Sequence, residues 1–207
     1  MKKIRIGITV VGKDSEGIVA SFTNFIFQRD GNIERVNQNV IKGLFGMHLE
    51  ASFSKEMDIK KFDKELQNLG RKIGMEVSIY HEINSHKNIA LFVTKEPHCL
   101  EVLLNANAKG QLKGRISVIV GTEKTLEQMA KRAKIPFVIV DEKDQIEAEN
   151  KLIEIAKQYD IDLVVLARYM KIMTPNFVWR YPHRIINIHP SLLPAFPGAF
   201  AYAQAFE

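Results

Sequence analysis

Met75-Glu76-Val77-Ser78-Ile79-Tyr80-His81, Glu82-Ile83-Asn84-Ser85-His86-Lys87 and Ile89-Ala90-Leu91-Phe92-Val93 follow one another closely and obey three different rules. In the first, Met75, Val77 and Ile79 alternate with more polar residues, the pattern of a strand buried on one face. The second is polar and reads as a linker. The third is an unbroken apolar run, the pattern of a strand buried on both faces of a parallel sheet. Two kinds of sheet on either side of a polar joint divide the chain into domains 1–84 and 85–207.

Upstream of the joint, Ile4, Ile6, Ile8 and Val10 alternate as a first strand. Asp14 or Ser15 is placed to cap a helix whose Ile18, Phe22, Phe25 and Ile26 recur at helical spacing. Asp30-Gly31-Asn32 signals a turn, and a strand runs from there to about Ile41. Lys42-Gly43 is the turn of a hairpin into a third strand with Met47, Leu49, Ala51 and Phe53 on one face. Ile59, Phe62, Leu66, Leu69 and Ile73 mark a second helix. The order is βαββαβ, the ferredoxin-like plan.

Downstream, Ile116–Val120, Phe137–Val140, Leu163–Leu166 and Ile185–Ile188 repeat the short apolar run, with helical patterns between them. Thr122 is expected to cap one helix. Asp144 is expected to start another with Ile146, Ile153 and Ala156 on one face. Alternating strands and helices predict an α/β, Rossmann-like, doubly wound parallel sheet. Ala199 to Glu207 reads as a helix just begun, so the second domain is expected to be incomplete at its C-terminal end.

The 207 residues are 46% hydrophobic and 26% charged, an ordinary globular balance. The single cysteine, Cys99, excludes a disulfide within the chain and fits a reducing cytoplasm. No apolar run reaches bilayer-spanning length, so no membrane partner is expected. The net charge of +5 is mild and spread over scattered lysines, so nucleic acid is a weak option, small anions fit equally well, and no nucleic-acid partner is expected.

Gly12-Lys13-Asp14-Ser15-Glu16-Gly17 joins the first strand to the first helix. It is not the G-x-G-x-x-G of dinucleotide sites, and Asp14 repels a pyrophosphate. Its plain reading is a capped turn. Its functional reading is a seat for a zwitterion, whose carboxylate takes the helix N–H groups while Asp14 faces the ammonium. Asn187-Ile188-His189-Pro190-Ser191-Leu192-Leu193-Pro194-Ala195-Phe196-Pro197-Gly198 closes the last apolar run. Asn187 and His189 are two apart, hence on one face of a strand, at the end where open α/β sheets bind ligands. The prolines stiffen the following loop. An amide that donates to an oxyanion, beside an imidazole that moves a proton, suits attack at a carbonyl. Cys99 beside His98 reads as a buried thiol, because neighbours on a helix face apart. His81 and His86 lack metal-ligand spacing, and no metal is expected. Lys131, Arg132 and Lys134 sit at a helix end, where they meet its dipole.

The Asn187–Gly198 stretch resembles the signature of the 10-formyltetrahydrofolate-dependent formyltransferases and hydrolases. Leu166-Ala167-Arg168-Tyr169-Met170-Lys171-Ile172-Met173 is similar to that family's loop lining the folate pocket. Residues 1–84, with Val11-Gly12-Lys13-Asp14-Ser15-Glu16-Gly17-Ile18-Val19 and Gly31-Asn32-Ile33, resemble an ACT domain. The pairing of the two domains is that of the family's deformylase branch. The resemblance implies hydrolysis of 10-formyltetrahydrofolate to formate and tetrahydrofolate, with no cofactor, in one-carbon metabolism feeding purine biosynthesis. It implies catalysis by Asn187 and His189 with an Asp on a later strand, expected beyond Glu207. Substrate contacts are implied for Arg168, Met170, Lys171, Ile172, Met173, Ser191, Pro194 and Gly198. An amino-acid effector, glycine or methionine, is implied at Asp14, Gly17 and Asn32 near the first helix N-terminus, in a homo-oligomer joined through residues 1–84. In the transferases, a Gly/Ser-rich loop after the first strand cradles a nucleotide phosphate. Thr94-Lys95-Glu96-Pro97-His98-Cys99-Leu100 stands there without a glycine and with Glu96, which favours water as acceptor. Formyl transfer to an amine, and an amino-acid-binding module on an inert remnant, are the alternatives.

Overall fold

The computed structural model describes residues 4–54, 57–81, 87–141, 143–188, 195 and 201–206. It divides the chain into two compact units: Met1–Asn84 with Thr174–Pro182, and Ser85–Met173 with His183–Glu207.

The first unit begins with β1 (Ile4–Lys13), α1 (Ile18–Phe27), β2 (Gly31–Ile41), β3 (Leu44–Phe53), α2 (Ile59–Lys72) and β4 (Met75–His81). The strands lie in the order β2-β3-β1-β4 with antiparallel neighbours, the expected ferredoxin-like sheet. The alternating residues of β1 and β3 face the helices: Ile6, Ile8, Val10, Met47, Leu49 and Ala51 are buried with Phe22, Ile26, Phe62 and Leu66. Phe62 meets Phe25 and Phe53 edge-on, each at 5.4 Å between centroids. Lys42 (φ 51°) and Gly43 (φ 77°) close the β2–β3 hairpin. Two positive φ values are what a two-residue turn needs to match strand twist, and glycine supplies one without strain.

α1 starts differently from the expectation. Its N-cap is Gly17, in the left-handed region, and no side chain caps it, so neither Asp14 nor Ser15 does. Gly17 carries the chain through a turn that a side chain would strain, and the first-turn N–H groups are left without a capping side chain. The apolar face of α1 is spent on its own core: Ile18, Phe22, Phe25 and Ile26 are all buried. Of the two edge strands, β2 is the more open, with Val36, Val40 and Ile41 exposed.

The second unit contains β5 (Lys87–Val93), α3 (His98–Ala108), β6 (Gly114–Gly121), a 3-10 turn (Lys124–Leu126) running into α4 (Glu127–Arg132), β7 (Phe137–Ile139), α5 (Gln145–Gln158) and β8 (Leu163–Ala167). After α6 (Pro175–Val178), β9 (Ile185–Asn187) completes the sheet and α7 (Ala201–Phe206) follows. The order is β7-β6-β5-β8-β9 and every pair is parallel. Leu91, Val93, Leu100, Ile119, Leu126 and Ala130 form one core under α3 and α4. Asn88 locks the lower edge: its N–H donates to Asp162 Oδ2 (2.9 Å), and its amide donates to the Asp160 carbonyl (3.0 Å).

Three local expectations change. Thr122 caps nothing; the 3-10 turn starts after Glu123, and α4 has no side-chain cap. Asp144 does cap α5, accepting from the Ile146 and Glu147 N–H groups. Ile146, however, points to solvent at 72% exposure, and the buried face is Ala148, Leu152, Ile153, Ile155 and Ala156. Among the described residues β9 lies at the edge of the sheet, with Ile186 half exposed, where a strand buried on both faces is expected.

Thr174–Pro182 belongs to the first unit. Arg180 donates to Glu76 Oε2 at 2.8 Å, and the Trp179 ring lies so close to Gly46 that a Cβ there would overlap it. No helix among the described residues is long and apolar enough to cross a membrane.

Candidate active site

Strand order in the second unit reverses beside β5. The chain leaves β5 toward β6 and β7, then returns through α5 to β8 on the other side. The loops after β5 and β8 therefore part in opposite directions, which opens a crevice at the carboxyl ends of the strands. The register puts those ends level: Val93 lies opposite Ala167, and Leu166 opposite Asn187.

Asn187 is the last residue of β9 and is exposed. Phe92, Leu166 and Asn187 form one row across the sheet, so their side chains share a face. On that face the buried Tyr169 ring meets Phe92 at 5.5 Å, with 62° between planes. Tyr169 is the second residue of the 168–173 loop that leaves β8, within the stretch read from sequence as lining the substrate pocket. The sheet register thus brings Asn187 and the start of that loop to one end of the sheet.

The loop has an unusual backbone at its first residue. Arg168 has φ 61°, in the left-handed region, at a cost of about 1–2 kcal/mol for a residue with a Cβ. Its carbonyl accepts from Thr94 Oγ1 at 2.8 Å, across the crevice from the β5 end. Met170 is half exposed, Ile172 is 79% exposed, and Ile186 and Ile188 on the neighbouring edge are also open. Apolar side chains left open at a strand end suit a flat, partly apolar ligand.

The strand ends at Asn187, with Ile188 beyond the ladder, so pairing alone does not extend the shared-face argument to His189. His189, Ser191, Pro194 and Gly198 lie outside the described residues. Arg168, Met170, Lys171, Ile172 and Met173 form the loop itself. Sequence reasoning did not single out Thr94 or Gln145. Gln145 Nε2 donates to the Ile172 carbonyl at 2.8 Å. Cys99 is half-buried in α3, packed against the core. His81 is bound to Asp63 at 2.9 Å.

After β5, residues 94–97 run directly into α3, whose N-cap is Pro97 with no side-chain cap. Pro97 has no N–H, and no glycine lets the backbone wrap a phosphate there.

The effector residues are not brought together within one chain. Gly17 and Asp14 follow the C-terminal end of β1. Asn32 pairs with Ser52, which pairs with Arg5 at the other end of β1. From Arg5 to Lys13 is eight residue steps, about 27 Å of strand at roughly 3.4 Å per residue. The cause is chain direction: α1 carries the chain back along the sheet, so β2 starts beside the C-terminus of α1 and not its N-terminus.

A formyl transferase family model matches residues 87–207, and an ACT-domain model matches residues 5–80. The formyltetrahydrofolate deformylase of Bacillus subtilis is 36% identical over 203 residues, covering 94% of this chain and 66% of its own length. That of Escherichia coli strain K12 is 37% identical over 202 residues, covering 94% of this chain and 69% of its own. The crystal structure of a formyltetrahydrofolate deformylase from Pseudomonas syringae pv. tomato aligns with a TM-score of 0.54 at 29% identity, over 100% of this chain and 70% of that one. The chain spans about two thirds of these relatives' length. With the ACT plan ahead of a parallel sheet ending in Asn187, these matches show that the chain belongs to the formyl transferase family, in its ACT-bearing branch of formyltetrahydrofolate deformylases.

Proposed function

We propose that this chain serves the hydrolysis of 10-formyltetrahydrofolate to formate and tetrahydrofolate. The observation that carries hydrolysis over transfer is the 94–97 loop: it ends in Pro97 at the head of α3, holds no glycine and includes Glu96. Pro97 offers no N–H at the head of α3, no glycine lets the backbone wrap a phosphate, and Glu96 repels one, which supports water as the acceptor. The folate lies along the 168–173 loop with its formyl group at the end of β9. Water attacks the formyl carbon, and the Asn187 amide donates to the oxygen as it takes up charge. His189 moves the proton to N10 as the C–N bond breaks, releasing formate. The test is formate release with and without glycinamide ribonucleotide. Formate release at the same rate in both supports hydrolysis; tetrahydrofolate formed only with the amine, with the formyl group on the amine and no free formate, supports transfer.

Regulation belongs to the first unit. An amino-acid carboxylate, that of glycine or methionine, takes the first-turn N–H groups of α1, which no side chain caps, and Asp14 faces its ammonium. Asn32 reaches that end only from a second copy. Antiparallel pairing of two β2 edges about Val36 sets Asn32 of one copy opposite Val40 of the other, beside the β2–β3 hairpin. That hairpin's Gly43 carbonyl accepts from the Asp14 N–H at 2.9 Å. We expect Asp14→Ala to abolish glycine or methionine binding in calorimetry while the melting curve stays in place, and Asn32→Ala to weaken binding in the oligomer. A monomeric mass by light scattering at micromolar concentration, with binding intact, would contradict the shared site.

A further inference from the structure

We propose that Thr94 and Gln145 are positioning residues of the folate site, which hold the 168–173 loop in the shape the substrate meets. The inference rests on the folate reading above, and on hydrogen bonds that exist without it. Thr94 Oγ1 donates to the Arg168 carbonyl and Gln145 Nε2 to the Ile172 carbonyl, both at 2.8 Å. They grip the loop at its first residue and four residues on, bracketing Tyr169, Met170 and Lys171.

The loop needs such a grip because burial does not supply one. Tyr169 is anchored on Phe92, but Met170 is 50% exposed and Ile172 79% exposed, and Lys171 is open as well. Arg168 sits in a left-handed conformation that an unheld loop would leave. The two donors come from rigid places. Thr94 is the residue after β5, in the middle of the sheet. Gln145 is the first residue of α5, directly after the Asp144 cap, which binds two N–H groups at 2.8 and 2.9 Å. Side chains from a strand end and a helix start thus bracket a loop whose Met170, Lys171 and Ile172 are exposed, the arrangement a preorganised site requires. Thr94 follows β5 and Gln145 follows β7, so both donors come from the β5–β7 side of the sheet and reach the loop that leaves β8.

The experiment uses the whole chain with Thr94→Val, Thr94→Ser, Gln145→Glu and the pair Thr94→Val/Gln145→Glu. Valine keeps the volume of threonine without the hydroxyl, and serine restores the hydroxyl. An ionised carboxylate cannot donate to a carbonyl. Glutamate in a first helical turn also suits the helix dipole, so Gln145→Glu keeps the fold even where Thr94→Val does not. We expect Kd for tetrahydrofolate to rise about 2–12-fold for each single loss, the range of one neutral hydrogen bond. In formate release the loss falls on KM and not on kcat, because neither side chain touches the formyl group. Serine restores binding. Amide exchange of residues 169–173 in the ligand-free protein rises in the valine and glutamate variants. Unchanged Kd and unchanged exchange in Gln145→Glu and Thr94→Val overturn the proposal, as does a loss that serine fails to restore. Should the unmodified chain bind no folate, the functional reading falls and exchange alone judges the grip: faster exchange sustains it, unchanged exchange ends it.

Discussion

Asn187→Ala is expected to slow formate release by about 10²–10³-fold, the usual cost of removing one preorganised oxyanion donor. The side chain stands exposed at the end of β9, so the substitution should move stability by no more than about 0.5 kcal/mol. That separation makes the experiment readable: turnover collapses while the melting curve stays in place. Asn187→Asp is a sharper probe. It keeps the shape, removes the donor and sets a negative charge against the developing oxyanion, so it should be at least as severe. His189→Ala should match it, since both residues serve one tetrahedral intermediate. Groups that act as a unit give non-additive losses, and the double variant should be little worse than either single one. Single-turnover formate release under saturating 10-formyltetrahydrofolate is the measurement. Retention of more than a tenth of the rate in Asn187→Ala would remove this residue from the chemistry.

What the sequence makes legible here is periodicity, and what it hides is direction and distance. Ile4, Ile6, Ile8 and Val10 alternate because one face of β1 is covered, and Ile89 to Val93 is continuous because β5 is central. Both patterns follow from local burial and survive without knowledge of the partners. Capping is less legible. Asp14, Ser15 and Gly17 all stand near the start of α1, and the left-handed Gly17 takes the position because the chain must turn sharply out of β1. Ile146 keeps helical spacing with Ile153 yet faces solvent, because spacing alone does not say which end of a helix reaches past its core. Asn32 is misplaced by reading motifs without following the chain back along α1. Thr94 and Gln145 leave no local trace at all. Each binds a carbonyl, which every residue has, 74 and 27 positions away. Membership of Thr174–Pro182 in the first unit is hidden for the same reason, because the Trp179–Gly46 approach is set by tertiary packing.

Phe92→Ala carries the largest expected loss of stability, because Phe92 joins the core to the site. The side chain is fully buried in the central strand, and Tyr169 closes over it edge-on. Truncating a buried phenylalanine removes its transfer free energy and leaves a cavity, together about 3–5 kcal/mol. A domain of ordinary stability holds only about 5–15 kcal/mol in total, so the second unit would stand close to unfolding at 25 °C. Urea titration followed by far-ultraviolet circular dichroism should show the midpoint falling sharply. A loss below about 1 kcal/mol would contradict the packing. Phe92→Leu separates the two roles of the ring. It refills most of the volume, so the stability loss should stay below about 1.5 kcal/mol. It also removes the aromatic contact that seats Tyr169 at the start of the 168–173 loop. Folate binding should therefore weaken in Phe92→Leu by more than its small loss of stability explains, with the loss on KM. Equal folate affinity in Phe92→Leu and the unmodified chain would show that the ring supports the core alone, and that Thr94 and Gln145 suffice to hold the loop.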